Sequence, residues 1–265
     1  MYSKFQLAAK YLKYYFTSSN GKGHGTHSPF IFHLITNILN NRKQYEEYTR
    51  VEKLRSQLLS DDTILKIEDF GAGSTINKTN NRTISSIAKN SAKPKKYGQL
   101  LFRMVRGYKP KQILELGTSL GITTSYLAMG NKAANVITME GAEKVAEVAH
   151  KNFQSLELRN ISIERGNFDH TLSAIINNQS SFDFIFIDGN HRQKPTERYF
   201  SELLTRINND TIMIFDDIHW SNGMDAAWES IKNHPEVSCT IDLFFIGIVL
   251  FRKEFLAKQH FVIRF

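Results

Sequence analysis

One stretch near the middle of the chain constrains the fold more than any other. Residues 113–121 read ILELGTSLG, an apolar run long enough for a buried strand that breaks at Gly117 and reaches a second glycine at Gly121. An amphipathic helical segment follows over residues 122–129, and Gly130 suits its C-terminal cap. A strand, a glycine turn and a helix in this order place backbone N–H groups near a ligand at the helix N-terminus. The stretch therefore predicts a ligand-binding turn in a βαβ unit.

The next segment strengthens this interpretation. Residues 135–140 read NVITME, a strand that ends in the carboxylate of Glu140. Glu140 lies 23 residues after Gly117 (140 − 117), close to the spacing of about 20 expected for an acid that binds ribose hydroxyls. The plainer alternative is a βαβ unit in which Glu140 is only a surface residue.

Apolar runs alternate with helical segments through the rest of the chain. Further strands are expected at residues 160–164, 182–187, 211–215, 239–244 and 247–252. The last two are close enough in sequence to pair as a hairpin. This alternation predicts an α/β fold with a doubly wound, mostly parallel sheet, helices on both faces and an antiparallel hairpin at its end.

Charge is distributed unevenly along the chain. Residues 1–112 hold 20 Lys and Arg against 7 Asp and Glu, a balance of +13, whereas residues 113–265 hold 14 against 19, a balance of −5. The basic part suits an anionic substrate, nucleic acid or a lipid surface. The alternative is a solvated basic face without a partner.

What the sequence lacks excludes several classes of protein. No run of about 18 apolar residues occurs, so no membrane span is predicted, and the N-terminus lacks the apolar core of a signal peptide. Cys239 is the only cysteine, which excludes an intrachain disulfide and a cysteine-based metal site. We therefore expect a cytoplasmic protein.

The N-terminal third holds three features whose role the sequence leaves open. Residues 2–16 carry apolar and basic residues at helical spacing, which predicts an amphipathic helix that either packs on the domain or makes weak contact with lipid. His24 and His27 lie in a glycine-rich break and are candidate ligands or active-site groups, although no third ligand type lies nearby. Residues 64–74 resemble a strand feeding a glycine loop, but the polar stretch after them favours a mobile loop at a substrate entrance.

An ordered set of motifs resembles the class I S-adenosylmethionine-dependent methyltransferases. The set comprises ELGTSLG at 115–121, Glu140, DGNH at 188–191 and the pair at 216–217. Its nearest branch is similar to the catechol and caffeoyl-CoA O-methyltransferases and their bacterial relatives, over about residues 93–253. The resemblance implies a Rossmann-like seven-stranded sheet of order 3-2-1-4-5-7-6 with the last strand antiparallel. We accordingly divide the chain into a helical N-terminal extension and candidate substrate lid, residues 1–90, and a methyltransferase domain, residues 91–265.

The resemblance also implies which residues bind S-adenosylmethionine. The glycine loop would hold the methionine part, the acid after the second strand the ribose, and the loop after the third strand the adenine. The expected cofactor-binding residues are Glu115, Gly117, Thr118, Ser119, Gly121, Glu140, Asn167, Phe168 and Asp188. The family often carries an acid where this chain has Asn167, which weakens the match there.

Three carboxylates follow two neighbouring strands of the predicted sheet. Asp188 ends the fourth strand, and Asp216 and Asp217 end the fifth, where strand ends face the ligand crevice. Carboxylates at one spot repel each other, and a divalent cation such as Mg²⁺, Mn²⁺ or Ca²⁺ removes that cost. We therefore predict a metal site at Asp188, Asp216 and Asp217 that favours deprotonation of a substrate hydroxyl. The catechol-type enzymes carry Asp, Asp and Asn at these positions, so the third residue differs here. The alternative for Asp217 is that it only caps the following helix.

His191 lies three residues after Asp188, at the position where the catechol-type enzymes carry a lysine base. An imidazole accepts a proton at neutral pH, so we predict His191 and Asp188 as the catalytic residues. The alternative for His191 is contact with the cofactor alone.

The expected function is O-methylation of a small hydroxylated acceptor. The sequence leaves open whether that acceptor is anionic and whether a metal assists the reaction. One alternative is a nucleic-acid methyltransferase that uses the basic N-terminal part. Against it, the Asp/Asn-Pro-Pro-Tyr motif is absent and Cys239 lies outside any Pro-Cys motif. The other is a catalytically inactive cofactor-binding module. The sequence names neither the acceptor nor the oligomeric state, and an oligomer is compatible with it.

Overall fold

The computed structural model describes residues 1–19, 21, 28–67, 81–91 and 93–265. His24, His27 and the glycine loop at residues 71–73 lie outside these ranges. Among the described residues, none of the helices combines the length and the apolar character needed to cross a lipid bilayer.

The N-terminal part is helical, as expected. It contains α1 (Lys4–Thr17), α2 (Pro29–His33), a π-helix (Leu34–Leu39), α3 (Glu46–Leu59), α4 (Ile84–Ser91) and α5 (Lys95–Tyr108). Ser3 starts α1 through a capping box, in which its hydroxyl accepts from the Gln6 N–H and the Gln6 side chain accepts from the Ser3 N–H. Ser28 caps α2 in a similar way, with Pro29 at the first helical position. These caps explain why the helices begin where they do.

Two short strands also belong to this part of the chain. They are β1 (Ile64–Lys66) and β2 (Asn81–Thr83), which pair antiparallel. The strand expected at the start of residues 64–74 therefore exists, but it belongs to a separate two-stranded ribbon.

The main sheet has eight strands. They are β3 (Gln112–Leu116), β4 (Asn135–Glu140), β5 (Ile161–Arg165), β6 (Phe184–Ile187), β7 (Ile212–Asp216), β8 (Cys239–Asp242), β9 (Ile246–Leu250) and β10 (Gln259–Val262). The strand order is β10-β8-β9-β7-β6-β3-β4-β5. β9 runs antiparallel to both β7 and β8, whereas the pairs β3–β4, β4–β5, β6–β7 and β8–β10 are parallel.

The predicted α/β class and mostly parallel sheet are confirmed, with one correction to the strand count. Numbered from β3, the order read from β5 is 3-2-1-4-5-7-6, as predicted, and then β10 follows as an eighth strand. β10 was missed because it has only four residues and is partly exposed. It pairs with β8, with Gln259 opposite Cys239. Such pairing depends on a distant segment and leaves little local pattern.

Helices connect the parallel strands. They are α6 (Ile122–Gly130), α7 (Glu143–Ser155), α8 (Phe168–Asn177), α9 (Gln193–Leu203), a 3₁₀ turn (Leu204–Arg206) and α10 (Asn222–Asn233). α6 runs through Gly130 and is capped by Asn131, one residue later than expected.

The chain divides into two compact units. The first unit comprises Met1–Asn41 and Gln179–Phe265, and the second unit is Arg42–Asn178. In the first unit, the fully buried Trp228 ring lies so close to Gly247 that a Cβ there would come within 2.6 Å of it. In the second unit, buried side chains of α3, α5 and α6 form one core that includes Val51, Phe102 and Tyr126. The expected boundary at residue 90 falls inside the second unit, so residues 1–90 contribute to both units.

Candidate functional site

The turn after β3 has an unusual backbone. Three of its residues have positive φ, namely Gly117 at 112°, Ser119 at 47° and Gly121 at 81°. At Gly121 a Cβ would also come within 2.4 Å of the Phe153 ring, which packs α7 close to the turn. The two glycines are therefore required by backbone conformation, and Gly121 additionally by close packing.

Hydrogen bonds tie this turn to the end of β4. The N–H groups of Gly117 and Thr118 both donate to the Met139 carbonyl, at 3.1 and 2.9 Å. The Ser119 N–H donates to Glu140 Oε2 at 2.8 Å. These three N–H groups are satisfied within the protein, so the turn favours a ligand through close backbone approach rather than through these donors.

Glu140 lies half-buried at the end of β4 with its carboxylate fixed from two sides. Oε2 accepts from Ser119, and Oε1 accepts from the Ala142 N–H at 2.9 Å. A carboxylate can accept from a donor at each of its oxygens, and this one is fixed at the end of β4 beside the turn. The arrangement suits a group that binds two adjacent hydroxyls, as a ribose requires.

Glu115 is placed differently from the other predicted cofactor-binding residues. It is fully buried in β3, and its Oε2 accepts from the hydroxyls of Thr124 in α6 and Thr138 in β4, the latter at 2.6 Å. The Thr138 hydroxyl also lies 2.7 Å from the hydroxyl of Thr118. Glu115 thus acts on the turn through a buried hydroxyl network that links β3, β4 and α6.

Asn167 and Phe168 open α8 directly after β5. The Asn167 side chain caps this helix by accepting from the Asp169 N–H at 3.0 Å. The preceding Gly166, with φ of 126°, donates its N–H to the Glu140 carbonyl at 2.9 Å. Gly166, which the sequence analysis did not single out, therefore joins the loop after β5 to the residue expected to hold the ribose.

A second group of polar side chains lies in the first unit. β6 and β7 pair in parallel with Ile187 opposite Phe215, so Asp188 and Asp216 follow at the same level of the sheet. One ligand atom each from Asp188, His191 and Asp216 lies within 4.8 Å of the others. His191 Nε2 is 3.4 Å from Asp188 Oδ1. Asp216 is buried, whereas Asp188 and His191 are half-buried, so the group is partly exposed to solvent.

A turn between Asp188 and His191 brings the histidine side chain close to the aspartate. Asn190 has a φ of 63°, which reverses the chain, and its amide donates to the Tyr199 hydroxyl at 3.1 Å. Arg192 in turn donates to Asn190 Oδ1 at 2.6 Å. Asparagine tolerates this left-handed conformation better than most residues, which accounts for its presence here.

Asp217, also expected as a metal ligand, is not a member of this group of described residues. Its φ is 52°, its N–H donates to the Phe245 carbonyl at 2.7 Å, and its carbonyl accepts from the Trp220 N–H at 3.0 Å. The left-handed backbone at Asp217 turns the chain directly after β7. Among the described residues, the three that could hold one ion are Asp188, His191 and Asp216.

A third cluster of polar side chains, also in the first unit, was not predicted by any motif in the sequence. His219 bonds through Nδ1 to Asp225 Oδ1 at 2.6 Å and through Nε2 to Asp242 Oδ2 at 2.8 Å. Burial lowers the pKa of His219, but the hydrogen bonds and charges of Asp242 and Asp225 outweigh it and raise the pKa overall. Lys10 and the Tyr2 hydroxyl complete the cluster at Asp225 Oδ2, at 2.9 and 2.5 Å.

Residues 114–218 match the model of a family described as a methyltransferase domain. No match was found among curated protein sequences. The matched range contains every residue that the sequence analysis proposed for cofactor or metal binding.

Solved structures of methyltransferases share the fold at low sequence identity. An O-methyltransferase from Bacillus cereus in complex with SAH is 22% identical, with 80% of this chain and 93% of that chain covered and a TM-score of 0.53. The SAH-bound Podospora anserina methyltransferase PaMTH1 is 12% identical, with coverages of 96% and 98% and a TM-score of 0.59. The O-methyltransferase TomG from Streptomyces achromogenes, in complex with SAM, is 15% identical, with coverages of 79% and 91% and a TM-score of 0.56.

Proposed function

We propose that this chain, which carries an S-adenosylmethionine-dependent methyltransferase domain, methylates an oxygen atom of a small hydroxylated acceptor. The observation that carries the choice of oxygen is the convergence of Asp188, His191 and Asp216. Two carboxylates and an imidazole suit the removal of a hydroxyl proton, which makes oxygen a competent nucleophile.

The cofactor would be held by the turn after β3, by Glu140 and by the loop after β5. The turn at 117–121 permits close backbone approach, and the fixed carboxylate of Glu140 is proposed to accept from the ribose hydroxyls. Asn167 and Phe168 are proposed to line the adenine position, because Gly166 ties their loop to Glu140. When bound, S-adenosylmethionine supplies a methyl group on a positively charged sulfur.

The acceptor would be activated by His191 and Asp188. Transfer of the methyl group to the acceptor oxygen would leave the electron pair of the broken carbon–sulfur bond on the sulfur of the cofactor and would require loss of the hydroxyl proton. The acceptor proton passes to His191, and Asp188 beside Nε2 stabilises the imidazolium that forms. Because Nε2 faces Asp188, Nδ1 is the nitrogen proposed to take this proton.

A divalent cation fits the same three residues. Asp188, His191 and Asp216 offer two carboxylates and one imidazole, a donor set that accepts Mn²⁺ and Mg²⁺ among others. A cation held there would supply Lewis-acid polarisation of the acceptor hydroxyl. In that case His191 is a ligand rather than a base, so metal assistance and histidine base catalysis are alternatives that an experiment can separate.

The role of residues 1–90 as an acceptor lid remains part of this proposal. The balance of +13 over residues 1–112 supports an anionic acceptor, since a basic surface raises the local concentration of anions. The single cysteine fits the cytoplasmic location that we also propose.

A methyl-transfer screen tests the proposal directly. Hydroxylated aromatic compounds and acyl carriers would be offered with labelled S-adenosylmethionine, in EDTA and with added Mg²⁺ or Mn²⁺. We expect an O-methylated product. Binding of S-adenosylhomocysteine without turnover on any acceptor would indicate a binding module, and methylation of RNA or DNA would indicate a nucleic-acid enzyme.

Two neighbouring aspartates provide a matched pair of variants for the metal. If Asp188, His191 and Asp216 are the metal ligands, Asp216→Asn should weaken Mn²⁺ binding at least about tenfold, because it removes a charge from the site. Asp217→Asn should leave Mn²⁺ affinity within about threefold, because Asp217 lies outside the group. If turnover is unchanged in EDTA, the metal is excluded, and His191→Ala should then lower the rate on the order of 10²–10⁴-fold.

A further inference from the structure

Helix α1 has an inner face that packs on the first unit. The Tyr14 side chain is buried, and its hydroxyl donates to the Ile263 carbonyl. The Tyr11 ring meets the Phe244 ring edge-on at a centroid distance of 5.0 Å. Ser19, just beyond the helix, bridges to Ile263 in parallel. These contacts fix which side of the helix faces outward.

The outward side carries a second apolar face. Phe5, Ala9, Leu12 and Phe16 are spaced i, i+4, i+7 and i+11, so at about 100° per residue they form one narrow stripe along the helix. Their large side chains are exposed by 90% at Phe5, 54% at Leu12 and 76% at Phe16. Single exposed apolar residues are ordinary, but a continuous stripe indicates a surface that binds something apolar. We call these four residues the outer stripe.

The surroundings of the outer stripe are basic. Residues 1–45 contain six Lys and Arg and no Asp or Glu. Lys4 and Lys13 are exposed on α1, whereas Lys10 is already paired with Asp225 at 2.9 Å. Near the helix end, the Arg264 guanidinium lies 4.1 Å from the Tyr15 ring, which contacts the Phe16 ring at 5.7 Å. The apolar stripe is thus accompanied by cations at both of its ends.

We propose that the outer stripe docks the protein on the surface of an anionic lipid bilayer. Aromatic and aliphatic side chains would enter the acyl boundary, and Lys4, Lys13 and Arg264 would meet the lipid phosphates. The inner-face contacts hold α1 against the first unit, so the helix lies along the surface. Its 14 residues would span only about 21 Å, short of the roughly 30 Å of a bilayer core.

Charge favours lipid over a second copy of the chain as the occupant. A symmetric pair would place the same stripe from two molecules together and bring their Lys4 and Lys13 side chains near each other. Like charges across an interface oppose association, whereas anionic phosphates neutralise them. The proposal is independent of the methyl-transfer activity and of its acceptor.

Vesicle cosedimentation of the full chain tests the proposal. The probes are phosphatidylcholine vesicles with and without phosphatidylglycerol, at low and high salt. We expect binding to the anionic vesicles that weakens with salt. Phe5→Ser combined with Phe16→Ser should abolish it, and Lys4→Gln combined with Lys13→Gln should weaken it about tenfold. Leu256→Ser is the matched control, because Leu256 is exposed in the first unit but lies outside α1.

Three results would overturn the proposal. The first is equal binding to neutral and anionic vesicles, or none to either. The second is loss of binding in the Leu256→Ser control to the same extent as in the double phenylalanine variant. The third is a dimer in light scattering that the double phenylalanine variant converts to monomer, which would assign the stripe to a second copy. Circular dichroism of each variant checks that α1 and the first unit remain folded.

Discussion

Two glutamates in neighbouring strands, both expected to bind the cofactor, differ in burial and in the groups that fix them. Glu115 in β3 is fully buried and shares its carboxylate with two threonine hydroxyls. Glu140 at the end of β4 is half-buried and fixed by two backbone N–H groups. The burial of Glu115 fits a role in positioning the turn, whereas Glu140 stays the residue that we propose for ribose binding.

Replacing Glu140 therefore tests the cofactor site most directly. Glu140→Ala removes a charge-assisted acceptor worth about 1.5–3 kcal/mol, so the affinity for S-adenosylhomocysteine should fall roughly 10- to 100-fold in calorimetry. It also leaves the Ser119 and Ala142 N–H groups without their acceptor, which loosens the turn. Glu143→Ala is the control, since Glu143 is an exposed neighbour that pairs with Arg165. Equal affinities in wild type and Glu140→Ala would remove Glu140 from the site.

The site residues differ in how far the sequence could predict them. Asp188, His191 and Asp216 were predictable, because the ends of parallel strands meet at one edge of a sheet. The positive φ of Asp217, which turns the chain after β7, could not be predicted from an aspartate pair. His219 was missed because its partners, Asp225 and Asp242, lie 6 and 23 residues away and are brought to it only by the fold.

At the scale of elements, the turn between β3 and α6 depends on Gly121 for two separate reasons. Its φ of 81° is strained for any residue with a Cβ, and that Cβ would come within 2.4 Å of Phe153. Gly121→Ala should therefore lower the free energy of unfolding by about 1–3 kcal/mol. Chemical denaturation measures this loss.

Another glycine provides the matched control for that substitution. Gly223 lies in the first turn of α10, and a Cβ there would meet Gln193 at an ordinary 3.5 Å. Gly223→Ala should be neutral or stabilise by up to about 1 kcal/mol, since alanine loses less backbone entropy in a helix. If both variants lost the same stability, the special role assigned to Gly121 would be wrong.

The sequence predicted the central strands well because they are buried on both faces and appear as unbroken apolar runs. β6 and β7, for example, are buried at every residue. β10 escaped prediction because only alternate residues are partly buried and its partner strand lies about twenty residues upstream. The family resemblance ended at about residue 253 and gave no guidance beyond that point.

At the scale of the whole molecule, the division into units could not be predicted from the sequence. The first unit joins Met1–Asn41 to Gln179–Phe265, two segments separated by the entire second unit. The composition and charge of the chain change near residue 112, which is not a boundary between the units. Composition and charge reflect solvent exposure and ligand binding rather than which segments pack together. Long-range contacts such as Tyr14 to Ile263 hold the two segments of the first unit together, and they involve residues with no common local pattern.

The cluster of His219 joins those same segments and should make their association depend on pH. Tyr2 and Lys10 from α1 and its N-terminus bond to Asp225, which also bonds to His219. The pKa of His219 is raised above its ordinary value of 6.5, so its contribution to stability is complete below that pH. The contribution is lost as the pH rises through the raised pKa of the folded state. The pKa of Asp225 is lowered from 3.8, so its own contribution is lost only in acid.

The sign of this effect gives a prediction for urea unfolding of the full chain. His219→Asn should cost roughly 1–3 kcal/mol at about pH 6, where the histidine is charged between two carboxylates, and clearly less at about pH 9. The same substitution at the exposed His170 is the control for a general effect of removing an imidazole. Lys10→Met should reduce stability at both pH values, because the lysine remains charged throughout and Asp225 loses one partner. A His219→Asn cost that stayed constant or grew between pH 6 and pH 9 would show that a neutral imidazole makes these contacts. The cluster would then be an ordinary hydrogen-bonded core without a charged histidine.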